Sequence, residues 1–311
     1  MTQLQKAPDR HPAFDGFDVY FEEKIAPLVA PLETGRQKVA RHCWLIIASA
    51  LFFFTGAMWA AIAVFQSFAL AFVGFMLAGA IVVFGLNWRM EGIHTQVSTA
   101  LLGGIAEFLG LSHIDDATRP RSLETFRKRN LVPKNNMVEC GDIVEGVWRG
   151  VKFACSEAWL SYRTRDNGGE RTVFAGQLFR IDLPFTLPES VTLIARTEWF
   201  HSRRKPHVGA VNVTAEAEQL RPYYIVWGET QMASRVLAAH GLAPKLIKLA
   251  RRYRNHKMRL CFLGDRVYIA VKNGDQLTPG SLFSPLDSQR RVRKAVVGFS
   301  HILRTVEAFA P

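Results

Sequence analysis

Between Cys43 and Trp88 the chain runs for 46 residues without a single charge. Nothing else in the sequence constrains the fold so tightly. As one helix the run would measure about 69 Å at 1.5 Å per residue, more than twice the roughly 30 Å hydrocarbon core of a bilayer. Gln66 and Ser67 are the only adjacent polar pair inside it. Split there, the halves 43–65 and 68–88 each have the length of one span. The sequence therefore predicts a two-helix transmembrane hairpin with its turn at Gln66-Ser67.

The flanks predict its orientation. Arg36, Lys38 and Arg41 precede the run, Arg89 follows it, and the turn carries no charge. By the excess of Lys and Arg on cytoplasmic sides, both termini are expected in the cytoplasm of a bacterial inner (plasma) membrane, as a multi-pass protein. Trp44 and Trp88 stand where an inner interfacial belt would lie. No ionisable group interrupts the run, so an anchor is expected rather than an ion path. Gly56/Ala60 and Gly74/Ala78 have the spacing that lets helices approach closely, against each other or in a dimer. About forty mostly polar residues precede the run, which does not resemble a cleavable signal peptide.

Charge is distributed unevenly. The formal net charge is +12, and all of it lies from Arg89 onward. Such a field attracts anionic partners, either lipid headgroups or nucleic acid. Seven cations and no acid lie between Lys245 and Arg259: Lys245, Lys248, Arg251, Arg252, Arg254, Lys257 and Arg259. A second group is Arg290, Arg291, Arg293 and Lys294. A solvated face explains both most simply. Contact with an anionic surface is the functional reading, and no nucleic-acid motif accompanies them, so nucleic acid is an unlikely partner. The four cysteines are widely spaced, without a CxxC pair, and read as free thiols of a reducing compartment.

Four segments are expected. Residues 1–42 form a cytoplasmic helical arm, with Phe14, Phe17, Phe21, Ile25 and Leu28 at helical spacing and Pro27 and Pro31 as kinks. It lies on the membrane or on the domain. The hairpin occupies 43–88, and a juxtamembrane helix and linker occupy 89–130. A cytoplasmic α+β domain of antiparallel strands and several helices fills 131–311. Within it, VWRGVKFACSEAWLSYRTR reads as two strands turning at Arg149-Gly150, and TVFAGQLFRIDL, VTLIARTEW and YYIVW as further strands. Helical sequence from about Thr230 is broken at Gly241 and Pro244. RLCFLGDRVYIAV is a hairpin turning at Gly264-Asp265. The last element is a helix capped near Asp287 or Ser288, with Val292, Val296, Phe299, Leu303 and Val306 on one face.

These segments, in the order FDGFDVYFEEKIAPLVAPLETGR, the apolar run, NLVP, DIVEGVWRGVKFACSEAWL, TVFAGQLFRIDLPF and CFLGDRVYIAVKNGDQLTPGSLF, resemble the bacterial membrane-protein family catalogued as domain of unknown function 3137, sometimes mislabelled galanin. The resemblance runs from about Phe14 to Phe309. It implies a two-span inner-membrane protein with an uncharacterised cytoplasmic domain, and it brings no reaction and no catalytic residues.

Chemical motifs are sparse. The sequence has no HExxH, no phosphate-binding glycine loop and no GxSxG elbow. His113, Asp115 and Asp116 offer ligand-type atoms, as do His201 and His207, but loops explain them better; no metal and no cofactor is expected. Glu139, Asp142, Glu145 and Glu157 are carboxylates close enough in sequence to act as an acid–base pair, or to pair with the abundant arginines. The expected function is that of an anchored protein whose basic domain binds a protein partner or the anionic inner leaflet. The alternative is a membrane-bound enzyme acting on a lipid-linked or acidic substrate.

Overall fold

The computed structural model describes residues 10–65, 99–114, 120, 122–164, 169–196, 206, 209–213, 218–254, 256–274, 277 and 289–311. They divide into two compact units: residues 16–104 with 279–292, and residues 1–15, 105–278 and 293–311.

The first unit is helical where it is described. A short helix α1 (Phe17–Tyr20) runs through one wide π-type turn, Phe21–Ile25, into α2 (Ala26–Phe65). The wide turn closes with the Ala26 N–H donating to the Phe21 carbonyl, directly ahead of Pro27. Proline lacks the N–H that would continue the ladder, and its ring crowds the carbonyl four residues back. The kink expected from the prolines thus takes the form of a widened turn, and Pro31 is carried inside α2. Phe17, Ile25 and Val29 are buried, whereas Leu28 is exposed.

The two-span reading needs correction. Among the described residues, no helix is long and apolar enough to cross a membrane. Residues 43–65 are not a separate element but the second half of the 40-residue α2. The first half of that helix carries Glu33, Lys38 and Arg41. Judging the uncharged run by itself isolated a stretch that the backbone does not isolate. The membrane fold class, the transmembrane description and the multi-pass inner-membrane location with both termini cytoplasmic are withdrawn with it. The Gln66-Ser67 turn, residues 68–88, Arg89, the His201 and His207 loop and the Asp287 or Ser288 cap lie outside the described residues.

The second unit is built on one antiparallel sheet. Its strands are β1 (Ser112–Ile114), β2 (Met137–Trp148), β3 (Val151–Arg163), β4 (Glu170–Asp182), β5 (Val191–Ala195), β6 (Val211–Asn212), β7 (Tyr224–Gly228), β8 (Lys257–Leu263) and β9 (Arg266–Lys272). Their order across the sheet is β1-β2-β3-β4-β9-β8-β5-β7-β6. The β8–β9 hairpin is inserted between β4 and β5. Its turn uses Gly264 at φ 60, the left-handed conformation that two-residue hairpin loops require.

Alternation along the strands gives the sheet two apolar faces. One face presents Ala158, Leu160, Phe174, Leu178, Cys261, Tyr268 and Ala270. Against it pack Leu123 and Phe126 of α3 (Leu123–Lys128), followed by Leu131 and Val132. The Phe126 and Tyr268 rings meet edge to face at 5.6 Å. The opposite face is covered by α5 (Leu242–Arg252), which follows α4 (Ala233–Ala239), and by the unit's part of α6 (Gln289–Glu307). There the Tyr224 hydroxyl donates to the Leu246 carbonyl at 3.0 Å. Tyr253 Oη and Thr305 Oγ1 are 2.8 Å apart, and Phe262 meets Phe309 at 6.2 Å. Fully burying each such large side chain contributes about 1.5–3 kcal/mol.

Candidate functional site

A cleft of about 250 Å³ opens where four distant pieces of the chain converge. His11 comes from the turn before Pro12–Phe14. Arg149 comes from the β2–β3 turn, Lys248 and Arg252 from α5, and Arg304 and Glu307 from α6. Four cationic side chains thus line the cleft against one carboxylate.

Local chain geometry explains how each arrives. Trp148 pairs with Val151, so Arg149 and Gly150 form the whole hairpin loop. Both have positive φ, 47° and 78°, as the right-handed strand twist demands of two-residue loops. Helix α5 starts after Gly241, itself at φ 60, and buries Leu242, Leu246, Leu249 and Ala250. The intervening positions, including Lys248 and Arg252, are thereby turned away from the core.

Glu307 is the hub. One of its oxygens, Oε1, accepts from His11 Nε2 at 3.0 Å, from Trp148 Nε1 at 3.2 Å and from Arg149 Nε at 3.0 Å. The imidazole tautomer follows from its other nitrogen: His11 Nδ1 accepts the Ala13 N–H at 3.1 Å, so in the neutral ring Nε2 carries the proton. The His11 N–H donates to Ser300 Oγ at 3.0 Å, and Arg304 Nη2 donates to the Arg10 carbonyl at 3.0 Å. Burial works to raise the Glu307 carboxyl. Hydrogen bonds from His11 and Trp148 and the charges of His11 and Arg149 outweigh it, holding the group below its ordinary value.

The cationic stretch read from the sequence is divided by the structure. Lys245 donates to the Ala310 carbonyl at 2.7 Å, and Arg259 Nη1 to the Asn130 carbonyl at 2.7 Å. Both bonds tie down chain segments. Lys248 and Arg252 line the cleft. Arg251, Arg254 and Lys257 are exposed. The Arg251 guanidinium lies 5.7 Å from the centre of the Tyr223 ring and donates to the Tyr223 hydroxyl at 3.1 and 3.2 Å. In the second group Arg290, Arg293 and Lys294 are exposed, but Arg291 is buried. His11, Trp148, Arg149, Arg304 and Glu307 carry no signal in sequence. His11 and Glu307 stand 296 positions apart, and only the Arg149-Gly150 turn is legible locally.

Of the carboxylates singled out in sequence, Asp142 and Glu157 each meet a partner that is not a carboxylate. Asp142 Oδ1 and His113 Nε2 are 2.8 Å apart, both side chains largely buried. Glu157 is buried in the sheet, where its Oε1 accepts the Leu277 N–H at 2.8 Å. Its neighbour across the β3–β4 ladder is Gln177, whose Oε1 accepts from Asn273 Nδ2 at 3.0 Å. Glu139 is exposed. Cys140, Cys155 and Cys261 are buried thiols outside any disulfide. Burial raises Cys155 and Cys261, and it pushes the Tyr253 hydroxyl up to about 12. Thiols held protonated in this way are poor nucleophiles. Among the described residues no group of three His, Cys, Asp or Glu could hold a metal ion.

Fold and cleft together define a class: an α+β domain on an antiparallel sheet, with a cation-lined cleft at the end of its covering helices. The model of the family described as Protein of unknown function (DUF3137) matches residues 172–310, and this is the family the ordered motifs resemble. The matched stretch begins inside β4 and includes α4, α5 and α6. No curated protein matches the chain. Among solved structures, the crystal structure of the mycobacterial trehalose monomycolate transport factor A, TtfA, is similar at 12% identity and a TM-score of 0.32. The match covers 68% of this chain and 96% of that one.

Proposed function

We propose that the sheet unit is a binding module whose α5–β8 face docks an acidic segment of a protein partner. The observation that carries this reading is the outward set of Arg251 on α5, Arg254 in the turn after it and Lys257 at the start of β8, beside the buried apolar residues of both elements. Arg251 is already held by ring stacking and by hydrogen bonds to Tyr223. A guanidinium fixed in this way loses less freedom when it meets a carboxylate, and its planar fork suits bidentate pairing. A flat lipid surface fits the face less well. Surface-bound elements insert large apolar side chains between headgroups, and none of the exposed large hydrophobic residues falls on α5 or β8.

The test uses the full chain and poly-L-glutamate as the acidic probe. Replacing Arg251, Arg254 and Lys257 together by Ala is expected to weaken binding by about tenfold or more, at roughly 0.5–1 kcal/mol per exposed pair. Equal binding by both proteins would remove this reading. Binding to phosphatidylglycerol vesicles without binding to polyglutamate would replace the protein partner with a lipid surface.

A further inference from the structure

The cleft at the end of α5 and α6 differs from the α5–β8 face in shape and in the state of its cations. It is concave, and its one carboxylate is consumed internally. The three donors from His11, Trp148 and Arg149 converge on a single oxygen of Glu307. Only the Nε of Arg149 is engaged in that bond, and the side chain is 62% exposed. Among the described residues, Lys248 has no hydrogen bond or ion pair. Arg304 commits one terminal nitrogen to the Arg10 carbonyl. The acid therefore anchors Arg149 without neutralising the set.

We infer that this cleft, formed by His11, Arg149, Lys248, Arg252 and Arg304 around Glu307, binds a small phosphate monoester. The ligand class follows from charge, donor geometry and size. Four cations against one carboxylate call for more than a single negative charge. A phosphate monoester brings close to two, on three strongly accepting oxygens. Guanidinium forks pair with those oxygens two at a time, while an ammonium supplies a compact third charge. A volume of about 250 Å³ lies below the usual range for drug-sized ligands. The site thus fits a phosphoryl group with a short organic tail. The same group is presented by a soluble ester and by a lipid headgroup, and the experiment separates them.

Glycerol 3-phosphate is titrated into the full chain by calorimetry, with inorganic phosphate as competitor and succinate as a dicarboxylate control. Parallel arms use vesicles of phosphatidylcholine with and without phosphatidic acid. Saturable binding is expected, displaced by inorganic phosphate and weakened about tenfold in Lys248→Ala and in Arg149→Gly, each variant losing one charge-assisted contact. Both sites are exposed, and glycine accepts the positive φ at position 149, so thermal unfolding of both variants should match wild type. Replacing Arg251, Arg254 and Lys257 should leave this titration unchanged, which separates the inference from the partner-docking face. Binding to phosphatidic acid vesicles alone, lost in both variants, assigns the phosphoryl group to a lipid. No saturable binding in any arm, wild-type affinity in both variants, or succinate binding as tightly as the phosphate ester would overturn the inference.

Discussion

Glu157 and Glu307 are carboxylates of the same unit put to opposite uses. Glu157 lies within the sheet and holds a backbone amide, that of Leu277, next to a layer of neutral amides from Gln177 and Asn273. Glu307 lies at the rim of the cationic cleft and gathers His11, Trp148 and Arg149 onto one oxygen. A buried polar group that holds a backbone amide ties chain segments together and is costly to remove. A carboxylate surrounded by partly exposed cations contributes less cohesion, because water screens the pairs. It sets instead where Arg149 and His11 sit. The carboxylate that ties chain segments together and the one that positions a cation are thus separated in space.

The largest effect should come from the sheet side. At Gly176 a Cβ would lie 2.0 Å from the Val271 carbonyl oxygen, a backbone atom that cannot swing aside. Gly176→Ala must therefore force β4 and β9 apart, and about 3 kcal/mol of stability should be lost, read as a drop in the denaturant midpoint. Next comes Glu157→Ala. It strands the Leu277 N–H and should cost about 2 kcal/mol; an unchanged midpoint would show that the polar layer carries no load.

Glu307→Gln should cost less, about 1 kcal/mol near neutral pH, and should change the pH dependence. A carboxyl held below its ordinary value stabilises the fold above that value. The contribution is lost as pH falls through the ordinary carboxylate range and below the folded-state value. Wild type should therefore lose stability in that window, whereas the Gln variant should follow a flatter curve. Parallel acid profiles would contradict the hub role of Glu307. Arg149→Gly should change stability by no more than about 0.5 kcal/mol. A larger loss would mean that the cleft, like the sheet, serves cohesion.

Much of the sheet was legible in sequence because hairpins are local. Arg149-Gly150 and Gly264-Asp265 mark turns with residues suited to unusual backbone angles, and both turns are present. The period of Val292, Val296, Phe299, Leu303 and Val306 gave the buried face of α6 directly. Strand order was not legible, because inserting β8–β9 between β4 and β5 depends on long-range pairing. The uncharged run misled for a related reason: composition shows how apolar a stretch is, not where its helix begins. Only Lys248 and Arg252 of the cleft stood in a recognisable sequence cluster. His11, Arg149, Arg304 and Glu307 meet through tertiary structure alone. The cluster itself mixed cations that hold the chain, such as Lys245 and Arg259, with those that face outward.

The claim at the centre of this account is that the outward cations Arg251, Arg254 and Lys257 serve recognition. The most direct test is the salt dependence of polyglutamate binding by the full chain, compared with the variant carrying Ala at all three positions. Exposed charge pairs are screened over about 10 Å at 0.1 M salt. Wild-type affinity should therefore fall steeply with added salt, while the variant should bind weakly with a much shallower slope. Equal slopes for the two proteins would contradict the account.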